Sequence, residues 1–361
     1  MKTESYILLS DGTIFKGRPM GARGVTIGEA AFDTGMAGYQ EMLTDPSFYG
    51  QIVAMTYPLA GNCGVNAEDV ESRRIFVSGL IVRECCDAPS NFRCEGTLEQ
   101  YLQDNNIIGI QGVDARALTR KLRSGGAMNA AIVSGVVADT TDLLEKIKNF
   151  KIDDAVKTVS VPKDEFYPAK EKRFNVSMLD CGYKNSMVRR LNEHGCDVTV
   201  KPYSATAEEL TSGFDGVLLS SGPGDPADNP EVIAEIAKVM KSGVPVFGVC
   251  LGHQLMALAA GFESEKMKFG HRGGNHPVYY DKKDKVFITS QNHGFAIKTE
   301  SVSLAVAEIS HVNRHDGSVE GLRYKNIPAF SVQFHPEAGP GPQDSLYLFD
   351  LFTQLMEGGS L

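Results

Sequence analysis

No apolar run in the chain approaches the roughly 20 residues that a membrane-spanning helix needs, so a membrane role is not expected. The opening MKTESYILLSDG has too short an apolar stretch, with Glu4 misplaced, to serve as a secretory leader. The seven cysteines, at 63, 85, 86, 94, 181, 196 and 250, are odd in number, scattered, and include no CxxC pair. That pattern argues against a zinc site, so no metal is expected, and it fits a reducing, cytoplasmic compartment. Positive charge is in deficit: 36 Lys and Arg stand against 45 Asp and Glu, a net charge of -9. A general electrostatic attraction to nucleic acid is therefore not expected. Internal repeats, low-complexity segments and a P-loop are also missing.

What is present is ordinary globular composition, 42% hydrophobic and 22% charged, over 361 residues, enough for two domains. The first part, 1–150, reads as strand-rich. SYILLSDGTIFKG carries two apolar stretches around Asp11-Gly12, a hairpin signal. GLIVREC and NIIGIQG read as further strands. TLEQYLQDN and DARALTRKLRSGG read as helices, the second stopped by Gly125 and Gly126. Over 151–173 the texture changes to VPKDEFYPAKEKR, with prolines and dense charge, which reads as a linker. From 174 to 361 strands and helices alternate. FNVSMLD, CDVTVKPY, FDGVLLSS and VPVFGV each precede a helical pattern, which predicts a mostly parallel sheet flanked by helices. Later strands are expected in KVFITSQNHGFAI, SLAVAEI, EGLRY and IPAFSVQFHPEA. A closing helix should bury Leu346, Leu348, Phe349, Phe352 and Leu355.

Three segments carry possible chemistry. Gly248-Val249-Cys250-Leu251-Gly252 has the form of a nucleophile elbow with cysteine as the nucleophile. Such a turn aims the N–H of Leu251 at an oxygen bound to the nucleophile and sets the thiol at a helix N-terminus. The pentapeptide alone leaves a buried core thiol equally open. LLSSGPGDP places Gly222 and Gly224 in a loop after a buried strand, where backbone donors line the ligand crevice of a parallel sheet; in isolation a plain turn is the alternative. FSVQFHPEA ends a strand in His335, Pro336 and Glu337: a general base for the thiol, and a carboxylate two residues on to orient it. Of the other histidines, His253 reads as structural. His271 and His276 in GHRGGNHP read as loop residues, and His311 and His315 as residues of a polar turn. Ser290 to Phe295 read as a strand end offering backbone to a polar substrate.

Taken together, GVCLGHQ, SSGPGDP and QFHPEA resemble the class I (triad) glutamine amidotransferases. Segments at 32–53 (FDTGMAGYQEMLTDPSFYGQIV), 56–66 (TYPLAGNCGVN), 90–93 (SNFR) and 270–278 (GHRGGNHPV) extend the likeness to the small, glutamine-hydrolysing subunit of carbamoyl phosphate synthetase, over nearly the whole chain. The resemblance implies that Cys250 attacks the side-chain amide of L-glutamine. A glutamyl thioester forms and is hydrolysed, with His335 and Glu337 completing the triad and Gly222 and Leu251 donating to the oxyanion. It implies glutamine-binding roles for Ser47, Gly222, Gly224, Leu251, Gln254, Asn292, Gly294 and Phe295.

It further implies a separate large subunit as partner, forming a heterodimer or a higher oligomer. That subunit would bind ATP and magnesium and receive the ammonia through a tunnel, while this chain carries no cofactor. The first 150 residues would dock the partner and contribute to the glutamine site. The alternatives are an amidotransferase subunit for another acceptor and a catalytically silent docking or regulatory subunit.

Overall fold

A computed structural model describes residues 5–360. The start of the opening segment MKTESYILLSDG, residues 1–4, therefore lies outside the described residues. The chain divides into two compact units, Met1–Asp153 and Asp154–Leu361.

The first unit is strand-rich, as expected. Its strands are β1 (Ser5–Leu9), β2 (Ile14–Gly21), β3 (Gly24–Asp33), β4 (Gln51–Met55), β5 (Leu59–Ala60), β6 (Gly79–Ile81), β7 (Glu84–Cys85), β8 (Ile108–Gln111) and β9 (Met128–Ser134). Seven of them close a barrel in the order β1-β2-β8-β6-β4-β3-β9, while β5 and β7 pair separately. The β1–β2 hairpin turns at Gly12, whose φ of 86° suits glycine. Four helices accompany the barrel: α1 (Tyr39–Thr44), α2 (Leu98–Asp104), α3 (Ala115–Gly125) and α4 (Thr140–Asn149). Side-chain caps start three of them. Thr97 accepts from Gln100 N, Asp114 from Ala117 N, and Asp139 from Thr141 N. Ile7, Leu9, Ile52, Ile81, Ile110 and Ile132 belong to one buried cluster, so alternate strand residues of the barrel supply a common core.

The second unit begins at α5 (Ala155–Val159) and β10 (Glu165–Tyr167), both inside the segment expected to be a linker. Composition misled there. The exposed charges flank a short edge strand that itself carries only Glu165, while Ala155, Val156, Val159 and Val161 bury their side chains. Then come β11 (Phe174–Asp180), α6 (Asn185–Glu193), β12 (Cys196–Pro202), α7 (Ala207–Thr211), β13 (Gly216–Leu219), α8 (Pro230–Val239), β14 (Val246–Val249) and α9 (Leu251–Ala259), the expected βα alternation. A long hairpin follows, β15 (Ser264–Tyr280) and β16 (Lys285–Ile297). After it lie β17 (Ala307–Asn313), β18 (Val319–Tyr324), β19 (Ala329–Val332) and α10 (Tyr347–Met356).

All ten strands form one sheet, ordered β10-β12-β11-β13-β14-β19-β18-β17-β15-β16. Its centre, β12-β11-β13-β14-β19, is parallel. Apolar clusters cover both faces. Val232, Ile236, Leu255 and Met256 pack one side, and Phe247, Phe330, Phe349 and Phe352 the other. Phe247 and Phe330 stack at 4.4 Å between centroids, and α10 lays Phe349 and Phe352 against Phe247. Each such ring, fully buried, contributes roughly 2–3 kcal/mol of hydrophobic stabilisation. Of the closing helix's expected core residues, Leu348, Phe349, Phe352 and Leu355 are buried and Leu346 is half-buried.

The histidine readings need correction. His271 and His276 lie within β15 and His311 within β17, all three buried, and only His315 sits in a turn. Residues 290–295 are the interior of β16 rather than a strand end. The signal was hidden because register shifts interrupt the β15–β16 ladder around Gly270 and again between Gly273 and His276, which breaks the alternation a strand shows in sequence. Among the described residues no helix is long and apolar enough to cross a membrane.

Candidate active site

β14 and β19 are parallel neighbours, with Val249 opposite Val332. Their C-terminal ends therefore share one sheet edge, and the next residues are Cys250 on one side and the run to His335 and Glu337 on the other. β13, on the far side of β14, ends at the same edge and leads into the Ser220–Pro226 loop. All three segments singled out in the sequence converge at this edge, where ligands bind in open parallel sheets.

Cys250 joins β14 to α9 with φ 54° and ψ -104°, a strained conformation for a residue with a side chain. The turn is held by Cys250 N–H donating to Val332 O (2.9 Å) and Gly252 N–H donating to Ser220 O (3.0 Å). The glycines of the elbow allow close approach. A Cβ on Gly252 would overlap the Leu219 carbonyl oxygen, and one on Gly248 would lie 2.9 Å from Gly252 O. Gly222 is equally constrained, since a Cβ there would overlap Cys181 O, and Gly224 has φ +90°. The N–H of Leu251, at the first position of α9, is one of those a helix leaves without an intrahelical partner.

Cys250, His335 and Glu337 are all buried. His335 is anchored by its backbone N–H, which donates to Ser290 O in β16 (2.8 Å). Its Nδ1 lies 2.7 Å from Glu337 Oε1. The carboxylate can only accept there, so the network assigns the ring proton to Nδ1 and leaves Nε2 for chemistry. Nε2 is buried without a hydrogen-bond partner. Burial lowers the His335 pKa, and the nearby Lys184 charge also lowers it; the Glu337 charge, joined by Cys250, outweighs both, and the ring is pushed up to about 10. A thiol proton thus has a stable place on this imidazole.

Lys184, which no motif singles out, lies in the loop after β11 and is buried. Its Nζ is 2.6 Å from Glu337 Oε1 and donates to the carbonyls of Ala338 (3.0 Å) and Gly339 (3.1 Å). Burial alone raises the Glu337 carboxyl; Lys184 and then His335 outweigh it and bring it from 4.5 down to about 2. Because the folded-state pKa is depressed, this stabilisation is present above the ordinary carboxylate pKa and is lost as pH falls from about 4.5 toward 2. Lys184→Met removes the partner and leaves a buried carboxylate. Urea unfolding at pH 7 is expected to show a loss of about 3–5 kcal/mol. The gap to the wild-type chain should narrow through that acidic window; an unchanged midpoint at pH 7 would count against the role of the pair.

The remaining expected positions fall as follows. Asn292, in β16, has both side-chain polar atoms buried and unpartnered, and its carbonyl oxygen lies 3.6 Å from Cys250 Sγ. Gln254, in α9, donates from Nε2 to Phe295 O (2.8 Å), tying the helix to β16. Gly294 faces Arg272, whose Nη2 would stand 3.4 Å from an added Cβ. Ser47 belongs to the first unit, in the turn Pro46–Phe48. Its N–H donates to Asp45 Oδ1 (2.8 Å), and its buried hydroxyl has no hydrogen-bond partner. His253 is structural, with Nδ1 2.8 Å from Ser331 Oγ. His271, His293 and Glu320 bring three donor atoms within 4.8 Å of one another. Gln291 Oε1 already meets a ring nitrogen of each histidine, at 2.9 and 3.0 Å.

A strained cysteine at a strand-to-helix turn, a carboxylate-held histidine on the adjacent strand and an oxyanion-type loop define a class I glutamine amidotransferase unit, and residues 177–355 match the family model of that description. Residues 7–132 match the model for the carbamoyl-phosphate synthase small chain, CPSase domain. The chain is 49% identical to the carbamoyl phosphate synthase small chain of Clostridium perfringens, over 97% of this chain and 99% of that one. It is 50% identical to that of Bacillus anthracis (97% and 95%) and 47% identical to the pyrimidine-specific small chain of Bacillus subtilis (97% and 95%). The chain belongs to the carbamoyl phosphate synthase small-chain family.

Proposed function

We propose that this chain hydrolyses L-glutamine to glutamate and ammonia and delivers the ammonia to a large carbamoyl phosphate synthase chain. The observation that carries the reading is the convergence of Cys250, His335 and Glu337 at one sheet edge, with the elbow backbone at φ 54°.

Cys250 gives its proton to His335 Nε2, and its sulfur attacks the amide carbon of glutamine. The N–H groups of Gly222 and Leu251 receive the oxyanion; one such donor is worth roughly 3 kcal/mol. The imidazolium, steadied by Glu337, returns its proton to the departing nitrogen, and ammonia leaves. Water then attacks the thioester with His335 as base, and glutamate is released. Asn292, Gly294, Phe295, Gln254 and Gly224 hold the glutamine. ATP and magnesium belong to the large chain, where ammonia and bicarbonate become carbamoyl phosphate for arginine and pyrimidine synthesis. The family membership supports the two-chain reading, and the likeness to the pyrimidine-specific small chain of Bacillus subtilis supports the pyrimidine branch.

The test mixes this chain with a large chain and follows glutamate release. Slow hydrolysis by the isolated chain, rising when the large chain and its substrates are added, is the expected result. An isolated chain already at its maximal rate, with no stable complex on gel filtration, would overturn the partner assignment.

A further inference from the structure

The triad does not account for every polar group on the sulfur. Gln333 follows β19 and is fully buried, and its backbone N–H donates to Glu320 O (2.9 Å). Its side-chain amide lies between two partners. Nε2 is 3.7 Å from Cys250 Sγ, and Oε1 accepts from Gln254 Nε2 at 3.0 Å.

The orientation of that amide follows from an unambiguous acceptor. Phe295 O, a backbone carbonyl, can only accept, so the Gln254 atom 2.8 Å from it is the amide nitrogen. That same nitrogen faces Gln333, so the Gln333 atom it meets is the oxygen, and the atom aimed at the sulfur is an N–H donor. Phe295 O, Gln254, Gln333 and Cys250 thus form a directed chain of hydrogen bonds ending on the nucleophile.

The two contacts of the sulfur respond oppositely to ionisation. As a thiol, Cys250 donates toward Asn292 O at 3.6 Å. Once the proton moves to His335, that carbonyl faces a lone pair and repels it. The bond from Gln333 changes in the other direction, because an N–H donor to an anion is stronger than one to a neutral acceptor. We propose that Gln333 is a further catalytic residue: its amide N–H stabilises the Cys250 thiolate that attacks the substrate, and Gln254 holds it in the donating orientation. The step adds no reactant. One S–H bond breaks, the proton goes to His335 Nε2, and the electron pair stays on the sulfur that Gln333 contacts.

This inference rests on reading Cys250 as the nucleophile, but its test does not require glutamine to be the substrate. The full-length chain is alkylated with iodoacetamide across a pH series, and modification of the Cys250 peptide is followed by mass spectrometry. In Gln333→Met, which keeps the length but removes the donor, the pH midpoint of alkylation should rise by roughly one pH unit, with the high-pH plateau unchanged. kcat for glutamine should fall about tenfold while KM stays near wild type. Gln333→Glu keeps the shape and replaces the amide donor by a carboxylate, so its midpoint should rise further. Either variant, folded and with a wild-type midpoint, overturns the proposal. In the wild-type chain the Gln333 side-chain amide proton signals should move downfield through the alkylation midpoint; signals that stay fixed overturn it without any substitution. A shifted midpoint with no glutaminase activity in the wild-type chain would leave Gln333 in place and sink the proposed function instead.

Discussion

Cys250→Ser is expected to abolish glutamine hydrolysis while leaving ammonia-dependent carbamoyl phosphate synthesis by the two-chain enzyme at its wild-type rate. The substitution exchanges sulfur for oxygen at a position whose backbone, φ 54°, is fixed by Gly248, Gly252 and two hydrogen bonds. The fold should therefore persist. The chemistry should not: an alkanol ionises far less readily than a thiol, and the site is arranged around a thiolate–imidazolium pair. Loss of the nucleophile in a triad lowers kcat by about 10^4-fold or more. Free ammonia enters after this site and bypasses it. Glutamine-dependent and ammonia-dependent synthesis measured on the same preparation decide the matter. Equal loss of both in a folded, assembled variant would sink the assignment of Cys250.

His335→Asn is the second large effect. Asparagine fits the space and can still meet Glu337 Oε1, now 2.7 Å from the imidazole, but it can take no proton from the thiol. General-base removal lowers the rate by about 10^2–10^4-fold. The loss should lie in kcat rather than KM, because the groups expected to hold glutamine sit on β16, α9 and the Ser220–Pro226 loop. Steady-state kinetics of the reconstituted complex test this, and a variant that only raised KM would place His335 in binding rather than proton transfer. Glu337 would then exchange a chargeable imidazole for a neutral amide beside Lys184, so a modest loss of stability is also expected.

Much of the second unit was legible because its signals are local. The strands β11, β12, β13 and β14 read as continuous apolar runs because both faces of the parallel centre are covered. The elbow was legible from glycine spacing, since that spacing reflects the crowding of α9 against Leu219. The pairing of Cys250 with His335 needed the third dimension; only the adjacency of β14 and β19 brings their ends to one edge. Lys184 left no trace in sequence, and Gln333, though it opens QFHPEA, carries no local sign that its amide faces the sulfur. A lone lysine in a loop reads as solvated, and nothing in CGYK tells that its ammonium meets a buried carboxylate. The 151–173 segment misled for the converse reason: exposed charges on either side of a three-residue edge strand read as a linker and mask the short buried stretch at 155–161. Closure of the barrel depends on long-range pairings, such as β3 with β9, that no window of sequence contains.

The bond from the His335 backbone to Ser290 joins the proton acceptor to the middle of β16, two residues before Asn292. Strand and base are therefore one mechanical body. A displacement of β16, whether imposed by an occupant of the pocket or transmitted from elsewhere along the ribbon, changes the reach of the imidazole toward the sulfur. Turnover is thereby made answerable to the posture of a single strand.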